Sequence, residues 1–284
     1  MLKDQPLSYC ADRLRQFDRD RYLTALFAPR ERRDALFVLY AFNLEIARIA
    51  EATTEPLIGE MRLQWWRDVI AEAYGGKALH GNVVAKSLGE VIATHRLTRS
   101  YFDRLLEARA FDPERRPPDS LEELKTYAEA TSGGLQCLAL EILGVGENLD
   151  AARAASAVGV AWALTGLLRA VPFHGRAGRL YLPVDLIAAT GIAPEALSLE
   201  QSTPAMAAVA KSLAEAAHSA LRQARKGKRG MPGEALPALM LGALADRYLA
   251  RIAKADYDLF DSKVAAPPLL REVGLWLRAR KGNY

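Results

Sequence analysis

The residues of this chain best suited to chemistry are arginines gathered near a histidine and a pair of acids. Arg169, Arg176 and Arg179 surround His174, with Tyr181 just beyond, and Arg48 lies between Glu45 and Glu51. A guanidinium offers a planar fork of donors that clamps a phosphate at two points. One expectation is therefore direct binding of a phosphate or an anionic lipid head group. The other is structural. A buried arginine usually needs an acid, so Arg169 and Arg179 would pair with Glu51, Glu45 or Asp185 and hold helices together. His80, His95 and His218 have no metal spacing. Cys10 and Cys137 have no catalytic partner. Asp256 and Asp258 flank Tyr257 where a helix should end, so capping or solvent contact is expected of them. Trp65 and Trp66 are expected in the core rather than along a tunnel.

These residues need helices to place them. Leu36, Leu39, Asn43, Ile46 and Ala50 trace one helical face after Pro29, with Ala47 and Glu51 beside it. Gly59 to Tyr74 reads as a helix stopped by Gly75 and Gly76. Val83 to His95 and Ser100 to Ala110 follow, and then a loop from Phe111 to Pro118. Asp119 or Ser120 caps a helix whose first turn holds Glu122 and Glu123. It should continue to Leu143 with a bend at Gly133 and Gly134. An Ala-rich central helix spans Asp150 to Val171, where Ala155, Gly159 and Ala163 allow close helix contact or leave room for a ligand. A loop is expected from Pro172 to Gly178, then helices over Pro204 to Arg225, Pro237 to Asp256 and Pro268 to Arg280. No alternating strand pattern, solenoid repeat or linker appears. The expectation is one all-α domain over residues 1–284.

Composition narrows the function. Half of the 284 residues are hydrophobic, a quarter are charged, and the formal charge is +4. That mild excess tolerates anionic partners without demanding them. No nucleic-acid-binding signature accompanies it, so nucleic acid is not an expected partner. Two cysteines make no disulfide framework and point to a reducing, cytoplasmic setting. The first twenty residues lack the apolar stretch of a signal peptide. The longest uncharged run, 154–168, is shorter than the roughly 20 residues of a spanning helix, so it is read as buried. Peripheral contact with the inner membrane remains open. The basic run of Arg222, Arg225, Lys226, Lys228 and Arg229 is expected to be a solvated loop, with a membrane or partner contact as the alternative.

Several segments carry a family resemblance. Gly178-Arg179-Leu180-Tyr181-Leu182-Pro183-Val184-Asp185-Leu186 resembles the pattern Gly-Arg-x-Tyr-Leu-Pro-x-Asp-x-Leu of the squalene/phytoene synthase family. Tyr40-Ala41-Phe42 and Leu164-Thr165 with Leu168-Arg169 resemble the starts of its two Asp-rich motifs. Asp20, Tyr22, Phe27 and Pro29 resemble its N-terminal segment. The resemblance implies an isoprenoid-synthase-like helical bundle around a central cavity. The string Ala170-Val171-Pro172-Phe173-His174-Gly175 departs from the enzymes. It is similar to the family's non-enzymatic branch, which serves the assembly of respiratory complex I.

The enzymes' aspartates bind magnesium and, through it, a substrate diphosphate. In this chain the four corresponding slots are Ala47, Glu51, Ala170 and His174. Magnesium wants about six oxygen ligands. The two alanines supply none, imidazole suits a hard cation poorly, and Glu51 alone is a weak candidate. Glu45 lies about 200° round a helix from Ala47 and cannot replace it. No catalytic residue, metal or cofactor is therefore expected. The resemblance implies complex I subunits or assembly proteins as partners, with an isoprenoid or phospholipid as a further ligand. The alternative is a magnesium-dependent head-to-head prenyl transferase acting on farnesyl or geranylgeranyl diphosphate.

Overall fold

A computed structural model describes residues 8–52, 55–77, 79–267, 270–282 and 284, and among these the regular structure is helical with no strand. The α-helices are α1 (Tyr9–Phe17), α2 (Arg19–Ala25), α3 (Arg30–Ala47), α4 (Pro56–Tyr74), α5 (Val83–His95), α6 (Arg99–Arg109) and the short α7 (Phe111–Glu114). They continue as α8 (Leu121–Ala128), α9 (Gly134–Leu143), α10 (Leu149–Arg176), α11 (Val184–Ala188), α12 (Pro204–Ala224), α13 (Leu236–Lys254), α14 (Ser262–Ala265) and α15 (Arg271–Arg280).

Side-chain caps set many of the starts. Asn82, Ser120, Asn148 and Thr203 each accept a hydrogen bond from a backbone N–H in the first turn of α5, α8, α10 and α12. Such a cap satisfies a donor that the helix itself leaves open. The buried side chains form one continuous core. Its axis is α10, which packs against α9, α12 and α13. By length and composition α10 would suffice to cross a membrane, yet more than half of its most apolar window is buried inside the bundle.

Gly159 on α10 makes the tightest contact with another segment's backbone among the described glycines. A Cβ there would stand 2.5 Å from the Ser132 carbonyl oxygen and 2.6 Å from the Gly133 Cα. The facing backbone is a π-helical turn, Glu129–Gly133, that joins α8 to α9. The bend expected at the two glycines is thus a change of helical pitch, as π-turns commonly produce.

Four expectations about the elements need correction. First, α3 stops at Ala47, and Arg48 to Ala52 form turns, so Glu51 does not share a helical face with Ala47. The N–H of Ile49 reaches back only three residues, to Ile46, and the Ala50 carbonyl is taken by the Arg179 guanidinium. Second, α10 continues through Pro172 to Arg176. Proline removes one hydrogen bond, and the following turn is closed by Ala177 N–H to Phe173 O at 3.3 Å and Arg179 N–H to His174 O at 2.9 Å. Third, the stretch after Arg109 opens with the helical turn α7 rather than a loop. Fourth, residues 225–230 form a 3₁₀ turn rather than an open loop. The side chains of Lys228 and Arg229, and the helix start expected at Pro268, lie outside the described residues.

Trp66 is buried as expected, whereas Trp65 is exposed and meets the Trp66 ring edge-on. Cys10 and Cys137 are both buried free thiols.

Candidate functional site

A cavity of about 210 Å³ opens where α2, α3, α10 and the π-helical turn meet. Leu44, Ala47, Trp162 and Leu167 give it apolar wall, and Arg21, Arg109, Ser132 and His174 give it polar wall. Local structure explains the placement. Asp18 caps α2, accepting from Arg21 N–H at 3.2 Å, and its other oxygen binds the Arg21 guanidinium at 2.7 Å. Arg21 is thereby fixed at the start of its helix.

Arg109 ends α6, and its Nη1 donates to Asp112 at 3.0 Å and to the Tyr127 hydroxyl at 2.7 Å. The hydroxyls of Tyr127 and Tyr181 both donate to Oδ1 of Asp112, at 2.8 and 3.0 Å. Asp112 is buried and sits at the centre of this network. Burial pushes the Tyr127 and Tyr181 hydroxyls far above the usual phenol range, so they stay protonated donors. The ring of His174 lies 4.8 Å from that of Tyr181, tilted by 50°. Burial, aided by the nearby Arg179 charge, lowers its pKa to about 4. His174 is therefore neutral near pH 7.

Four buried polar atoms on this wall have no hydrogen-bond partner among the described residues: Arg21 Nε, Arg109 Nε, Ser132 Oγ and His174 Nδ1. Buried polar atoms are seldom left unpaired without a reason. The site can offer both donors to an oxygen-rich group and apolar contact.

The arginines singled out from the sequence take separate roles. Arg179 is buried and donates to the Ala50 carbonyl. Arg169 lies 3.6 Å over the Tyr248 ring and donates to the Ala265 carbonyl at 3.4 Å. Arg48 sits 4.6 Å over Phe17 and 3.9 Å from Glu51, on an outer groove. Arg176 is exposed. The acids expected to pair with Arg169 and Arg179 go elsewhere: Glu45 accepts from Asn82 at 3.2 Å, and Asp185 accepts the Leu121 N–H at 3.1 Å. A carbonyl and an aromatic face do the holding in their place. Tyr181 does join the site, through Asp112. Sequence reading passed over Arg21, Arg109, Asp112 and Ser132. The only hint was an acid beside Pro113 in a stretch expected to be irregular.

The metal that the family resemblance implies does not fit these residues. Ala47 brings a methyl group to the cavity wall, and Ala170 likewise has no ligand atom. Glu51 is exposed beyond the end of α3 and faces Arg48. His174 offers a neutral nitrogen near an arginine. The nearby carboxylates Asp18 and Asp112 are held by Arg21 and Arg109. A magnesium ion needs several free oxygens at one point, and among the described residues no three acids, histidines or cysteines form such a group.

Comparison with known proteins places this chain in a family. The model of the squalene/phytoene synthase family matches residues 14–271. A Bos taurus protein, NADH dehydrogenase (ubiquinone) complex I, assembly factor 6, is 32% identical over 276 residues, covering 97% of this chain and 82% of the relative. A phytoene synthase of Rhodobacter capsulatus is 26% identical over 263 residues, covering 91% of this chain and 76% of the relative. Among solved structures, a ligand-bound dehydrosqualene synthase superposes with a TM-score of 0.82 at 20% identity, over 96% of this chain and 94% of that one. The helical bundle is thus the isoprenoid-synthase fold. With a family match over nearly the whole chain, and the Gly178–Leu186 segment delivering Tyr181 to the cavity network, the chain belongs to the squalene/phytoene synthase family.

Proposed function

We propose that this chain is a non-catalytic member of the family that assists the assembly of a respiratory NADH dehydrogenase. The observation that carries the reading is the donor set at the four motif positions. Two methyl groups, one carboxylate outside its helix and one neutral imidazole do not make a magnesium-diphosphate site. Ionising an allylic diphosphate requires its developing charge to be stabilised, and that stabilisation has no source in these side chains. The similarity to the Bos taurus assembly factor over 97% of the chain supports the partner class.

The cavity supports a second element of the reading, a bound isoprenoid or phospholipid with an oxygen-rich head. Its unpaired donors on Arg21, Arg109 and Ser132 would face the head group, and Trp162 and Leu167 the apolar part. Deleting the gene in its own organism should lower the amount of assembled NADH dehydrogenase on native gels, and restoring the gene should recover it. An unchanged amount of assembled enzyme would count against the assembly role.

A further inference from the structure

The last helix is amphipathic the wrong way round for a helix on a soluble surface. Its inward side is fixed mainly by charge: Arg271 reaches Asp20 at 2.8 Å, Arg278 reaches Asp246 at 3.4 Å, and Leu275 is the one buried apolar residue of the helix. Its outward side carries Leu270, Val273, Trp276 and Leu277, which are 73%, 50%, 49% and 50% exposed. At about 100° per residue the three within the helix, Val273, Trp276 and Leu277, fall within one arc of roughly 100°, and Leu270 stands at the residue just before the helix. Single exposed apolar residues are ordinary, but a contiguous stripe of large ones marks an interaction surface.

Charge indicates what covers the stripe. Arg280, whose guanidinium lies 4.9 Å over the Trp276 ring, and Lys281 stand at its end, and neither forms an ion pair among the described residues. The acid on this helix, Glu272, is engaged by Arg19 at 3.3 Å and Arg271 at 3.5 Å. The other exposed apolar stretch, Leu57, Ile58, Met61 and Trp65 on α4, differs in charge. Along α4 Glu60, Asp68 and Glu72 outnumber Arg62 and Arg67, and the arginines Arg13 and Arg48 meet only its Trp65 end, in the outer groove. Outward tryptophan and leucine with unpaired cations alongside is the composition of a helix that lies in a lipid interface.

We infer that α15 is a membrane-surface anchor: the Leu270–Leu277 stripe enters the head-group region of an anionic bilayer while Arg280 and Lys281 bind its phosphates. The helix stays seated on the protein through Arg271 and Arg278, so docking requires no rearrangement of the core. This inference does not depend on the assembly role, and its test does not involve NADH dehydrogenase.

The test is co-sedimentation of the full chain with vesicles of phosphatidylcholine alone and of phosphatidylcholine mixed with phosphatidylglycerol. The wild type should pellet with the anionic vesicles, and less so as salt rises. Trp276→Ser with Leu277→Ser, and separately Arg280→Glu with Lys281→Glu, should each weaken binding by roughly tenfold or more. Leu57→Ser with Met61→Ser should bind like the wild type. All these positions are exposed, so thermal melts should show the variants folded. The inference is overturned if the wild type stays in the supernatant, or if the α15 variants pellet as well as the wild type. It is also overturned if light scattering finds a dimer in solution that the Trp276/Leu277 variant dissolves, since a second copy would then be what covers the stripe.

Discussion

Asp112 holds the polar side of the cavity together. Three donors converge on one buried carboxylate, and each is itself buried or half-buried. Removing one member of such a group strands the others. Asp112→Ala leaves the Arg109 cation without its acid, so it should cost about 3–5 kcal/mol of folding stability in urea titrations. A loss within the range of an ordinary surface substitution would show that the network is not a unit. His174 sets a pH dependence at the same place. Above pH 6.5 its ring is neutral in both the folded and the unfolded chain. As pH falls from 6.5 to about 4 the unfolded chain takes up a proton that the folded ring refuses, so stability is lost across that window. His174→Phe keeps a ring against Tyr181 and cannot titrate. Its stability should fall less steeply than that of the wild type between those pH values, and parallel curves would place the ring in water.

At the scale of elements, most of the helices are visible in the sequence because their signals are local. The α5 pattern from Val83 to His95 and the Ser120 cap need only their own neighbours to be read. The errors fall where a distant group decides. The end of α3 departs from its apolar periodicity, with Arg179 taking the Ala50 carbonyl across 129 residues of chain. The candidate site was barely legible for the same reason: Asp112 meets Tyr127 and Tyr181 at separations of 15 and 69 residues. Gly159 was legible as a point of close contact, and the structure supplies its partner, the π-helical turn carrying Ser132 into the cavity wall. Gly159→Ala forces backbone apart from backbone and should cost about 1–3 kcal/mol in the same urea titrations. A neutral or stabilising effect, as expected for alanine in an open helix, would mean that α10 and the turn do not pack this tightly.

For the whole molecule, the family fold is present around a centre with no metal-holding group among the described residues. The bundle superposes on a dehydrosqualene synthase at only 20% identity, because helix packing needs apolar faces and small residues rather than particular side chains. The motif positions follow a different constraint. Here they give two methyl groups, an exposed glutamate and a neutral histidine, and the carboxylates at or near the cavity, Asp18 and Asp112, are already held by arginines. The account stands or falls on whether that centre can work on a prenyl diphosphate. The direct measurement is release of inorganic diphosphate by the purified protein from farnesyl and geranylgeranyl diphosphate, with and without magnesium. The expected result is no release above the protein-free blank in either case. Release that requires magnesium, and that yields a coupled prenyl product, would contradict it.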